Sequence, residues 1–300
     1  MDRGRRIIMI TCFNDIEFLT NFVYDDVKDG AGAQVHRRLS VWAYCILHDI
    51  RYVHTPLQSV EHNYESDSSW ENKWEEFFNL GKGKHQKTLD TKSEWYDHTL
   101  HDRTYHVSQL IHWFNVNGVD LYDKVKEKFL EKYNLTKKPK LYFDKDYVNI
   151  AVHVRRGDLV GKGHRFNAVG LPDEYYIKVM KDIQEEYNSK NKKCKFYVYT
   201  QNKAAKRGFY RKPKKDLFKN FEELDFDVEM KINGCPFSDI HHMLMSDVLI
   251  SSKSHFSYIP SLFTDARVIH CCDKNQAGFP KTYWDVRDRN GNKLKENNNE

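Results

Sequence analysis

The chain predicts an α/β protein built around a parallel sheet. Short, continuous apolar runs rich in β-branched residues recur through the second half, as expected of strands buried on both faces. Between them, apolar residues recur at helical spacing, and polar or glycine-containing segments separate the two patterns. Strands alternating with helices in this way make βαβ units, which require parallel pairing.

In the first half, Ile7–Thr11 reads as a short buried strand. The segment Asp29-Gly30-Ala31-Gly32-Ala33-Gln34 follows, and then Val35, Leu39, Trp42, Ala43, Ile46 and Leu47 line one face of a helix. Tyr52-Val53-His54 is the next strand. Strand, glycine segment, helix and strand in that order resemble half of a nucleotide fold. The glycines either let backbone amides approach an anionic ligand at a helix start or simply make a tight turn. Residues 61–105, dense in charge, Trp and Tyr, read as mixed helix and loop facing an acceptor. Val119 to Tyr133 has the period of one amphipathic helix, and Lys137-Lys138-Pro139-Lys140 combines proline with like charges, a linker signature.

The second half alternates more clearly. A strand over 148–154 precedes a helix carrying Tyr176, Val179, Met180, Ile183 and Tyr187. Phe196–Thr200 is a strand, a basic stretch runs from Lys203 to Lys215, and Phe226–Glu229 reads as another strand. Ser238 has the chemistry of an N-cap for a helix over 239–246. Val248–Ile250 and Arg267–His270 complete the strands, and the polar residues from Asn290 to Glu300 read as a frayed tail. The domains expected are 1–140, 141–275 and a tail, 276–300, that crosses back toward the first.

A net charge of +5 suits an anionic small ligand and is too weak to argue for nucleic acid. The six cysteines show no paired spacing, so a reducing compartment is the expectation. No signal-like segment or apolar run of membrane-spanning length is visible, and a soluble, cytoplasmic protein is expected.

The most informative stretch is His153-Val154-Arg155-Arg156-Gly157-Asp158, at the end of the 148–154 strand. Ligands of open α/β sheets bind outside the carboxyl ends of strands. Adjacent guanidiniums there either grip a diphosphate through planar donor forks or pair with neighbouring carboxylates for little energy.

Three segments together resemble the GDP-fucose-dependent fucosyltransferases, the α1,2, α1,6 and protein O-fucosyl superfamily. They are the His-x-Arg-Arg-x-Asp segment, the run from Asp239 through Ser246-Asp247 to Ser251-Ser252-Lys253-Ser254-His255-Phe256-Ser257, and the glycine segment Gly30–Gln34. The resemblance implies a GT-B fold, two Rossmann-like domains facing a cleft. It also implies inverting transfer of fucose from GDP-fucose to a glycan hydroxyl, with no cofactor and no metal. Arg155 would bind the β-phosphate, with Arg156 beside it. His153 and Asp239 would lie against the nucleoside. Ser254, His255, Phe256 and Ser257 would hold phosphate, and Gly30, Gly32 and Gln34 would also bind the donor. The glutamate that the α1,6 branch carries past its arginines is missing from Val160–Arg165, leaving the base open. Asp158 and His164 are candidates, as are Asp26, Asp29, Glu61 and His62, although Asp158 also suits bracing an arginine.

Other readings remain beside this one. The motif specifies diphosphate rather than fucose, so another nucleotide-sugar, such as a xylose donor, fits. Asp144-x-Asp146 and Asp225-x-Asp227 match a metal-dependent pattern. His241 and His242 diverge by about 100° on a helix and do not suit one ion. Lys203, Lys206, Arg207, Arg211, Lys212, Lys214 and Lys215 interleaved with Phe209 and Tyr210 suit either a solvated loop or single-stranded nucleic acid. A catalytically dead relative that only binds its ligand is the remaining alternative.

Overall fold

The computed structural model describes residues 18–20, 29–49, 51–54, 56–63, 65–81, 107–159, 170–202, 204–206, 209–211, 218–272 and 278–294. The expected strand at Ile7–Thr11, the base candidates Asp26 and His164, and most of the basic run (Lys203, Arg207, Lys212, Lys214, Lys215) lie outside them.

The first half contains β1 (Phe18–Thr20), α1 (Ala31–Leu47), β2 (Arg51–Val53), α2 (Trp70–Phe78), α3 (Val107–Asn117) and α4 (Asp123–Asn134). Strands β1 and β2 pair in parallel across α1, forming a βαβ unit. The expected single helix over 119–133 is two pieces, a 3-10 turn at Val119–Tyr122 and then α4. Gly118, with φ of 105°, starts that turn in backbone space that favours glycine.

The second half contains β3 (Val148–Val154), α5 (Asp173–Asn188), β4 (Cys194–Thr200), β5 (Ala204–Lys206), β6 (Phe209–Arg211), α6 (Lys219–Glu222), β7 (Val228–Ile232), α7 (Pro236–Met245), β8 (Val248–Ile250), α8 (His255–Phe263), β9 (Arg267–Cys271) and β10 (Asp285–Arg287). Six strands form one sheet in the order β7-β4-β3-β8-β9-β10, every pairing parallel. The fold is thus α/β, with the strand order of a doubly wound nucleotide-binding sheet. The chain starts in the middle at β3, runs outward to β7, and returns to the other side of β3 through β8. That reversal makes the gap between β3 and β8 a topological switch point. Within the basic stretch, β5 and β6 pair as antiparallel strands.

Alternation along β3 directs Ile150, Val152 and Val154 to a core shared with Tyr175, Tyr176, Val179, Met180 and Ile183 of α5. Ala151 joins Tyr197, Tyr199, Met243 and Leu249 on the opposite face. A third core unites the two halves. Val35, Leu39 and Trp42 of α1 and Phe129 of α4 belong to the same buried cluster as Ile259, Leu262 and Phe263 of α8 and Trp284. Phe129 stacks on Phe263 with ring centroids 4.0 Å apart. Residues 281 and 282 bond to the first half. Buried Lys281 donates to Asp123 Oδ1 (2.5 Å) and the Leu262 carbonyl (2.7 Å), and Thr282 bonds Asp120.

Two local expectations are corrected. Ser238 is not the N-cap of α7. The helix starts three residues earlier, with Cys235 in the N-cap position and Pro236 in the first turn, where a missing N–H costs nothing. Residues 290–294 are ordered: Asp288 accepts from Asn290 N and Asn292 N, and Leu294 N bonds the Val286 carbonyl.

Helices α1 and α8 meet at their N-terminal ends, and Gly32 permits it. A Cβ on Gly32 would sit 2.7 Å from Phe256 N and 2.8 Å from the His255 carbonyl carbon, whereas one on Gly30 would meet nothing nearer than 3.5 Å. Gly32→Ala therefore lowers stability by about 1–3 kcal/mol through overpacking, despite alanine's better helix propensity. Gly30→Ala changes it by less. Urea midpoints of the two variants check this.

Candidate functional site

The loops leaving β3 and β8 flank the switch point. At the end of β3, His153 is buried and shares a hydrogen bond between Nδ1 and Ser252 Oγ (3.0 Å). Its ring lies 5.2 Å from that of Phe256. Burial, then the charges of Arg155 and Arg156, push His153 down to about 3, so it is a neutral imidazole at physiological pH. Arg155, half-buried, donates from Nη1 to the Lys253 carbonyl (3.1 Å). One strand end thus holds the next through two side chains.

The two arginines take different partners. Arg156 is buried, ion-paired with Asp173 at the start of α5, and donates to the Arg155 carbonyl at 2.9 Å. Its guanidinium also lies over the Tyr176 ring. Asp173 thus braces Arg156. Asp158 lies in the 3-10 turn Gly157–Leu159.

The serine-rich segment is a helix start rather than an open loop. Ser254 caps α8, its hydroxyl accepting from Phe256 N at 3.3 Å, and His255, Phe256 and Ser257 form the first turn. Fully buried Ser257 bonds back to the turn before it: Ser252 N donates to Ser257 Oγ at 3.1 Å. These two hydroxyls shape the turn, while the end of α8 carries the partial positive charge of a helix N-terminus.

The glycine segment sits against that turn through Gly32. Gln34 is fully buried. Its Nε2 donates to the Gln58 carbonyl (2.6 Å) and its Oε1 accepts from Gln58 N (3.3 Å), so it staples a loop to α1. Asp29 accepts from Gly30 N and ion-pairs with Arg37. His62, at φ 69°, lies against Gly30, and Glu61 N donates to the Asp29 carbonyl at 3.0 Å. Burial, then the charges of Arg37 and Arg155, lower His255 to about 4.

Asp239 occupies the first turn of α7, 8 % exposed. Burial pushes its carboxyl up to about 7, against a weaker pull from Lys231. Gly234 passes close by, since a Cβ there would be 3.0 Å from Asp239 Oδ1. The surroundings are aromatic: Tyr142 donates to the Tyr199 hydroxyl (3.3 Å) and stacks on His242 with centroids 3.7 Å apart. A half-titrated carboxyl in such a setting is a group that ligand N–H donors would charge. His241 and His242 diverge as their spacing requires. The first bonds Tyr133, and the second accepts from Tyr142 N and bonds the Ser238 carbonyl.

The Asp-x-Asp pairs lie at the amino ends of the strands, away from Arg155. Asp144 and Asp146 turn the chain into β3, with Asp146 N donating to Asp144 Oδ1, and Asp227 immediately precedes β7. The seven residues of β3 separate them from Arg155 by about 20 Å. Asp173, Tyr142, Tyr199 and Arg37 were not singled out from sequence. Only Asp173 left a signal there, an acid in the first turn of a helix.

No family model and no curated protein matches the chain. Among solved structures it is similar to the fucosyltransferase NodZ from Bradyrhizobium, at 10 % identity over 83 % of this chain and 93 % of that one, TM-score 0.41. It is also similar to NodZ α-1,6-fucosyltransferase soaked with GDP-fucose, at 10 % identity over 87 % and 97 %, TM-score 0.39. POFUT1 in complex with GDP-fucose follows at 12 % identity over 75 % and 63 %, TM-score 0.24. Among the described residues, no helix is long and apolar enough to cross a membrane.

Two outcomes follow. Asp173→Ala removes a carboxylate partner of a buried guanidinium and lowers unfolding free energy by about 2 kcal/mol, measured by denaturant titration. Asp239 binds a proton more tightly folded than unfolded, so it destabilises the fold progressively as pH rises from about 4 to about 7. Asp239→Asn therefore raises the melting temperature at pH 8, and the gain disappears near pH 4.

Proposed function

We propose that this chain is an inverting glycosyltransferase of GT-B type that moves fucose from GDP-fucose to a glycan hydroxyl. Residues 1–140 serve the acceptor and 141–275 hold the donor. The observation that carries the reading is the switch point, where His153 and Arg155 from β3 meet Ser252 and Lys253 from β8. Ligands bind at this place in doubly wound sheets, and here it ends in a guanidinium, a neutral histidine and a helix N-terminus.

The chemistry fits those groups. The acceptor oxygen attacks the anomeric carbon as the bond to the diphosphate breaks on the opposite face, and negative charge grows on the leaving oxygen. Arg155 and the start of α8 stabilise that charge as it develops, the work a metal ion does in other transferases. Asp239, at the carboxyl side of the same sheet, supplies an acceptor for the N–H edge of guanine. The acceptor proton goes to a carboxylate or imidazole, for which Asp158, His164, Asp26, Asp29, Glu61 and His62 are the candidates.

Arg155→Ala reduces kcat/KM by about 10²–10³-fold with an unchanged circular dichroism spectrum, and transfer persists in EDTA. Full turnover in that variant, or a strict divalent-metal requirement, overturns the reading. In a thermal-shift panel GDP stabilises the protein by about 2.7 kcal/mol at a hundred times its dissociation constant. UDP stabilises it less, and a preference for UDP would move the donor to another nucleotide-sugar.

A further inference from the structure

Arg156 is committed to Asp173 and the backbone of its own turn, so a diphosphate at the switch point has one arginine from β3. Charge on two phosphates is better met by two guanidiniums, and the fold brings another to the same place from the other half of the chain. Arg37 lies two turns into α1, but helical side chains slant toward the N-terminus, and its guanidinium reaches back to Asp29 beside Gly30. That end of α1 is the end seated on His255 and Phe256, because Gly32 admits the backbone of α8. Arg155 is fastened one residue before the cap of the same helix, at the Lys253 carbonyl. The imidazole of His255 lies in the field of both Arg37 and Arg155. Arg37 is three-quarters buried in its side chain, and its partner Asp29 is one-third exposed.

We infer that Arg37 is the second cation of the donor-phosphate site: the guanidinium leaves Asp29 for the diphosphate, and Asp29 competes with the ligand for it. This rests on the nucleotide-sugar reading above. It also makes the phosphate site a joint product of both halves, assembled only while α1 and α8 stay in contact. The competition gives Arg37 and Asp29 opposite signs, which a merely structural ion pair does not do. Removing either member of a structural pair weakens the protein in the same direction.

The test compares dissociation constants of GDP and guanosine, probes with the same base and different charge, for the wild type, Arg37→Gln, Arg37→Lys and Asp29→Asn. Asparagine keeps an oxygen for Gly30 N while losing the charge. The expected result is GDP binding weakened about 10–100-fold in Arg37→Gln, the range of one charge-assisted contact. Guanosine binding stays unchanged, Arg37→Lys recovers part of the loss, and GDP binding tightens in Asp29→Asn. Unchanged GDP binding in Arg37→Gln, or an equal loss for both ligands, overturns the role of Arg37 alone. Should Arg37→Gln fail to fold, weaker or unaltered GDP binding in Asp29→Asn overturns it instead. A wild type that binds GDP no better than guanosine removes the nucleotide-sugar reading together with the inference.

Discussion

The pairing of β3 with β8 sets the geometry of the candidate site. Its register, Ile150 to Val248 and Val152 to Ile250, is fixed at the amino end by Asp247. The Asp247 carboxylate accepts from Asn149 N at 2.8 Å, and its own N–H donates to the Asn149 carbonyl. Because side chains alternate along a strand, a slip of one residue would turn every buried residue to the wrong face. With the amino ends locked, the carboxyl ends finish level, and His153 meets Ser252 while Arg155 meets Lys253. The site is where two locked strands stop pairing and their chains diverge.

Burial and charge are divided around that point. His153 and His255 are held neutral by desolvation and nearby guanidiniums, so they donate or accept hydrogen bonds without adding charge. The arginines carry the positive potential. Asp239 stands apart as a buried carboxyl near its midpoint of titration at physiological pH, a costly arrangement that a ligand with N–H donors would relieve. The large core that joins α1 and α4 to α8 makes the glycine segment and the serine turn neighbours through packing. Their relation to each other is therefore as rigid as the core itself.

Much of this was legible in the residues. The strand over 148–154 is rich in β-branched residues and free of Gly and Pro, and it occupies those positions. The run at 248–250 and the helical period between Tyr176 and Ile183 were equally plain, because a buried parallel sheet leaves continuous apolar runs. The start of α7 was displaced because Ser238 has an N-cap's chemistry while Pro236 has the fixed φ of a first helical turn, and the proline won. Helix α8 was missed because Ser-His-Phe-Ser reads as a polar turn. Its helicity depends on the cap at Ser254 and on Tyr258, Ile259, Leu262 and Phe263 being buried against α1 and α4.

By itself the sequence determined the α/β class, the strand that ends in His153 and Arg155, and the acid at the head of α7, because these follow from local period and from which side chains can hold an anion. It did not determine which arginine faces which partner. Arg155 and Arg156 are adjacent and chemically identical, and only the packing of α5, which brings Asp173 to Arg156, separates them. Nor did it bring Arg37 and Asp29 to α8. That meeting depends on two helices more than two hundred residues apart in the chain closing to van der Waals contact over the missing side chain of Gly32, a distance no local pattern encodes.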